Sequence, residues 1–174
     1  LEDFQARIHD RLGALGRVNG LLSRLHEGGR VTFDDLLRTE LRSQGVTDAD
    51  HAGSAVRLTG PEGIGLRSAT VQTLALALHE LVTNAVKHGA LRWPDGRLEV
   101  RWSLESGEDG RTRLRVDWQE TGVPMAALVA TDVAPARRGY GRELIERALP
   151  YQLGATTAYQ ISPEGVRCII ALPI

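Results

Sequence analysis

The chain has 174 residues, enough for one or two compact units, and its 42% hydrophobic and 25% charged content is ordinary for a folded domain. A formal net charge of -1 offers no basic field for nucleic acid. The single cysteine, Cys168, excludes an internal disulfide and fits a reducing compartment, and no apolar segment is long enough to cross a bilayer.

Leu1 opens the chain without an initiator methionine, and no signal peptide is visible. The expectation is a cytoplasmic fragment whose upstream parts are missing. Phe4, Ile8, Leu12, Leu15, Val18, Leu22 and Leu25 recur at steps of three and four. That period predicts one long helix over residues 4–25, suited to a helical hairpin or a dimer seam. Gly13, Gly16 and Gly20 weaken it, by roughly 1 kcal/mol each against alanine. They also permit close helix approach, so a partner helix is expected, from missing chain or a second subunit. Gly28-Gly29 ends the helix. Thr32 caps the next, with Asp35 three positions on as a near capping box. Gln44-Gly45 closes it. Ala55–Leu58 and Ile64–Leu66 predict a short strand pair around Gly60-Pro61-Glu62-Gly63.

A helix from about Ser68 to His88 follows. At about 100° per residue, Glu80, Asn84, Lys87 and His88 share one narrow face. Leu74, Leu78, Leu81, Val82 and Ala85 lie roughly opposite. The helix therefore buries an aliphatic stripe and holds up an acid, an amide and a cation. An acid and an amide one turn apart suit Mg²⁺, which takes oxygen ligands and keeps several waters. A lysine one turn on suits a phosphate. A solvated polar face on an ordinary helix fits the same spacing. Gly89 stands where a helix end favours glycine.

Residues 97–105 alternate, with Leu98, Val100, Trp102 and Leu104 on one side. Residues 111–119 do the same with Leu114, Val116 and Trp118. Glu108-Asp109-Gly110 joins them as a hairpin. Residues 122–138 have no period and carry Pro124 and Pro135, as a functional loop or lid does. Gly139-Tyr140-Gly141 opens a helix from about Arg142 to Leu149. Backbone amides at such a start bind phosphate. Thr156–Ile161 and Val166–Leu172 form a last strand pair, and Cys168 in that apolar run predicts core packing. The fold class is α+β: helices on one face of a mixed, mostly antiparallel sheet, preceded by a helical dimerisation element.

The stretch His79-Glu80-Leu81-Val82-Thr83-Asn84-Ala85-Val86-Lys87-His88-Gly89 resembles the N-box of GHKL (Bergerat-type) ATP-binding domains. The variant is that of HWE histidine kinases, with His79 opening the box and Trp118-Gln119-Glu120 further on. Residues 137–149 resemble the glycine box after an ATP lid, and residues 163–174 the closing strand pair. Together these cover about residues 55–174, in order and at family spacing. The front end is similar to the family's second dimerisation and phosphotransfer helix.

The resemblance implies ATP and Mg²⁺ as ligands. It makes Asn84 the metal-binding asparagine, Glu80 the acid that shapes the metal site, and Lys87 a phosphate contact. Glu120 stands where most relatives have the adenine-reading aspartate, and Gly122 follows it as in the usual pattern. Pro124 replaces that pattern's second glycine, which stiffens the lid hinge. Gly139, Tyr140 and Gly141 match the phosphate-binding turn, and His79 and His88 flank the box. Val166 replaces a threonine near the base. The acceptor histidine of such kinases lies on the preceding helix. His9 is a candidate only by its place before Asp10 and Arg11, without the expected proline.

The expected domains are a dimerisation and phosphotransfer remnant over 1–45 and a catalytic domain over 46–174. The expected function is transfer of the ATP γ-phosphoryl to a histidine and thence to an aspartate on a response-regulator receiver domain, in a homodimer formed through the front helices. The alternatives are a degenerate adaptor on the same fold, or a GHKL serine kinase or ATPase of another branch.

Overall fold

The computed structural model describes residues 12–13, 16–17, 19–20, 23, 30–46, 53–107, 109–124, 126 and 140–174. His9, Gly139 and, of the loop expected over 122–138, residues 125 and 127–138 lie outside them.

The described residues between 12 and 23 are helical, as expected of the front helix. Gly16 and Gly20 have no atom within reach of an added β-carbon, so nothing described in this chain uses the close approach they permit. The next helix, α1 (Phe33–Ser43), is capped as predicted: Thr32 Oγ1 accepts from the Asp35 amide at 3.3 Å. Asp34 and Asp35 sit in its first turn and Arg42 in its last, matching the helix dipole. Phe33, Leu36, Leu37 and Leu41 are buried in the same core as the sheet.

Strand β1 (Val56–Thr59) does not pair with Ile64–Leu66 as the sequence suggests. It runs parallel to β2 (Arg97–Ser106), with Val56 opposite Leu98. The cause is Trp102. Gly60 lies directly against its ring, where a β-carbon has no room, and its indole donates to the Pro61 carbonyl at 2.8 Å. The 60–63 turn is therefore laid over the tryptophan. The chain beyond it bonds to the entry of α1, through Phe33 N to Ile64 O and Leu66 N to Val31 O, both 2.9 Å.

Helix α2 (Ser68–Lys87) crosses the sheet, with Leu74, Leu78, Leu81, Val82 and Ala85 buried. A 3₁₀ turn (Ala90–Arg92) follows, then β2 and β3 (Thr112–Thr121) as an antiparallel hairpin. Leu98, Val100 and Trp102 face the core, but Leu104 is 48% exposed, so the inward pattern stops short of the hairpin end.

The predicted Arg142–Leu149 helix starts earlier and ends later. It comprises α3 (Tyr140–Glu143), a π turn (Leu144–Ala148) and α4 (Leu149–Leu153). Pro150 cannot donate, and its ring crowds the preceding turn. The widened turn, in which Leu149 N bonds to Leu144 O, lets the helical path continue past it. Thr73 Oγ1 donates to Gln152 Oε1 at 2.8 Å and ties this helix to α2. Strands β4 (Thr156–Ser162) and β5 (Gly165–Pro173) complete a mixed sheet of order β1-β2-β3-β5-β4. Cys168 is buried, and burial first, then the nearby acids, pushes its thiol up to about 12. It stays a neutral packing group at ordinary pH.

Candidate functional site

Helix α2 places Glu80 and Asn84 one turn apart, both half-buried, and Lys87 and His88 exposed beyond them. The same helix turns His79 away. Its side chain is 3% exposed and its Nδ1 lies 3.1 Å from Oε2 of Glu40 on α1. His79 thus does not join the edge formed by Glu80 and Asn84. It is a packing and hydrogen-bonding residue between helices.

Gly141, buried at the start of α3, sits directly on Glu80. A β-carbon there would stand 2.8 Å from Glu80 Oε2 and 3.0 Å from its Cβ. The structure therefore brings the acid of the central helix against the glycine turn some sixty positions later in the chain. Tyr140 enters the same turn through its backbone.

Glu120 closes the other end. It is 3% exposed at the end of β3. Its Oε1 accepts from Trp118 Nε1 at 2.9 Å and its Oε2 from the Ala90 amide at 2.8 Å. The tryptophan two positions earlier on the same strand face holds the acid, which gives the Trp-x-Glu spacing a chemical reason. Burial raises the Glu120 pKa, and the two hydrogen bonds oppose that rise. Both donors are neutral. Gly89 has an ordinary φ of -100°, so the left-handed conformation of a helix-end glycine is not its reason. A β-carbon at Gly89 would run into Glu120 Oε2 and stand 2.8 Å from Ala85 Cα. Gly122 needs both freedoms: its φ is 73°, and a β-carbon would press on the backbone of Asp95 and Gly96.

Around Glu120 a small apolar cluster gathers Ala90, Val123 and Val166, with Trp93, Tyr159 and Ile161 packed on it. Trp93 Nε1 is buried and has no hydrogen-bond partner among the described residues. Burial pushes the Tyr159 hydroxyl above its ordinary range, and Glu120 adds to that. Sequence reasoning missed Ala90, Trp93, Val123 and Tyr159. The Ala90 contribution is a backbone amide, which no side-chain pattern reveals.

The arrangement is a carboxyl acceptor set among apolar side chains, joined through Ala90 to the helix that carries an acid, an amide and a cation. Two oxygen donors on one helix face fit Mg²⁺, which binds through one or two protein groups plus phosphates and water. No cluster of three or more His, Cys, Asp or Glu exists among the described residues, which disfavours an all-protein metal cage there.

No protein-family model matches the chain. A blue-light-activated histidine kinase of Rhizobium johnstonii is 30% identical over 170 residues, which is 98% of this chain and 44% of the relative. The chain thus spans less than half the length of that relative. The catalytic domain of histidine kinase ThkA superposes with a TM-score of 0.53 at 15% identity, covering 83% of this chain and 95% of that one. The histidine kinase domain of the blue-light-activated kinase EL346 of Erythrobacter litoralis superposes at 0.50 and 18% identity, covering 79% and 57%.

Proposed function

We propose that this chain, a GHKL domain of the histidine-kinase family, is the ATP-binding catalytic portion of a two-component sensor kinase. The observation that carries this reading is the seating of Gly141 on Glu80, which sets the N-box edge against the glycine turn. Adenine packs in the apolar wall around Val123, Val166 and Trp93, and its exocyclic amine donates to Glu120. Lys87 and the backbone of Gly139, Tyr140 and Gly141 meet the phosphates. Glu80 and Asn84 hold Mg²⁺, which when bound neutralises phosphate charge. His88, at the exposed end of α2, stands beside the phosphate path.

This chain's part in the reaction is positioning and electrostatics. The γ-phosphorus–oxygen bond to ADP breaks as a bond to a stem histidine nitrogen forms. The phosphoryl group then passes to an aspartate of a response-regulator receiver domain. Residues 1–45 serve as the dimerisation and phosphotransfer remnant, with α1 packed into the body built by residues 46–174. The whole protein works as a cytoplasmic homodimer through its front helices. Among the described residues no helix is long and apolar enough to cross a membrane.

Asn84→Ala is expected to abolish Mg²⁺-dependent ATP binding in a chain that still folds. Unchanged calorimetric affinity would reject the assignment. Val166, in place of the expected threonine, favours a second reading as a non-catalytic adaptor on the same fold. Labelled ATP decides: acid-labile phosphate on a longer chain supports the kinase, and nucleotide binding without it supports the adaptor.

A further inference from the structure

Three elements meet away from the nucleotide edge. Arg17 comes from the front helix, Glu40 from α1 and His79 from α2. Glu40 is fully buried, and the His79 side chain is 3% exposed. Arg17 Nη2 donates to Glu40 Oε2 at 3.1 Å and lies 3.2 Å from His79 Nδ1, which is itself 3.1 Å from the same Glu40 oxygen. A single ring nitrogen cannot serve both neighbours. Bearing hydrogen, Nδ1 donates to Glu40; bare, it accepts from Arg17. The triangle therefore has two hydrogen-bonding arrangements.

A second observation points the same way. Arg17 Nε and Glu40 Oε1 are both buried and have no hydrogen-bond partner among the described residues. Nε and Nη2 lie on one edge of the guanidinium, and that edge matches the two oxygens of a carboxylate. One half of the fork is made and the other is open. A small advance of Arg17 would close it and satisfy both orphaned atoms, whose burial without partners is unfavourable. His79 is followed directly by Glu80, the residue pressed against Gly141. A shift at His79 is thus a shift at the nucleotide edge.

We propose that Arg17, Glu40 and His79 form a two-position joint that couples the seat of the front helix to the nucleotide-binding helix. Arg17 is a positioning residue for phosphoryl transfer, and this rests on the ATP-binding reading above. The structure shows the half-closed position. By linkage, nucleotide that favours one position must also change how firmly the front helix is held.

Hydrogen exchange on the chain, with and without Mg²⁺-ADP, tests the joint, with calorimetry on the same samples to read binding. In the wild type, nucleotide is expected to change exchange across residues 12–23 by about fivefold or more. Arg17→Lys keeps one charged contact but cannot form the fork. It should bind nucleotide and hold the front helix as the wild type does, yet lose the nucleotide response. Arg17→Met should loosen the front helix in both states. A full response in Arg17→Lys, or none in a wild type that binds nucleotide, overturns the joint. Absence of calorimetric binding in every chain overturns the ATP reading first, and the joint with it.

Discussion

Glu40 and Glu120 are both sealed from water, at 0% and 3% exposure, yet the fold holds them with different partners. Glu40 takes a guanidinium and an imidazole from two other helices. Glu120 takes an indole N–H and a backbone amide, both neutral. A guanidinium binds a carboxylate into the protein. Neutral donors fix its direction but leave its charge uncompensated, which suits an acid kept for a ligand's N–H group. The position in the fold decides which is which. Glu40 lies between helices with no opening, whereas Glu120 lies where β3 ends beside the loop that leads to residue 124.

The comparison breaks most sharply at Arg17. Arg17→Met leaves Glu40 buried with the imidazole alone and should cost about 3 kcal/mol, read as a lower urea midpoint. An unchanged midpoint would mean that Glu40 needs no cation. Glu120→Gln keeps the side chain's size but turns one of its two accepting oxygens into a donor that faces the Trp118 indole or the Ala90 amide, and should weaken ATP by roughly tenfold or more, about 1.4 kcal/mol. Calorimetry checks it.

The same substitution sharpens the contrast through pH. The folded pKa of Glu120 is raised by burial above the ordinary carboxyl value of 4.5, so the folded state holds the proton more tightly than the unfolded one. Its contribution to stability is complete below that value and is lost as pH rises through the folded pKa. Stability of Glu120→Gln relative to the wild type should therefore grow on going from pH 4 toward neutrality, measured as paired urea midpoints. A flat difference would contradict the burial effect. Gly141→Ala should cost about 1 kcal/mol, because Glu80 Cβ cannot move aside as a side-chain tip can, and should also weaken ATP. The smallest effect is expected on the outer sheet face. Breaking the exposed Arg167–Asp117 pair with Arg167→Ala should leave the urea midpoint at neutral pH within error. Arg167 lowers the Asp117 pKa, so any loss belongs above the ordinary carboxyl value of 3.8 and fades in acid.

What was legible in the chain was local. The alternation at Leu98, Val100 and Trp102 and the stripe from Leu74 to Ala85 report their own burial, because side-chain period is set by the backbone. The Thr32 cap reads the same way. What stayed hidden depends on distant partners. β1 pairs with β2 because Trp102 receives the Gly60–Pro61 turn, a contact 41 residues apart. His79 looks like a site residue from its neighbours, but its partners are 39 and 62 residues away on other helices. Glu120 was legible as an acceptor, but the amide that holds it was not. The continuation past Pro150 depends on a widened turn that no propensity foretells.

Trp118 has one more consequence. Its indole is sealed from water and donates to Glu120, the carboxyl proposed to receive the adenine amine. Any change in that carboxyl's charge or hydrogen bonding alters the electric field along the ring and so the colour of its emission. The site thus carries its own optical reporter in Trp118, one of the chain's three tryptophans.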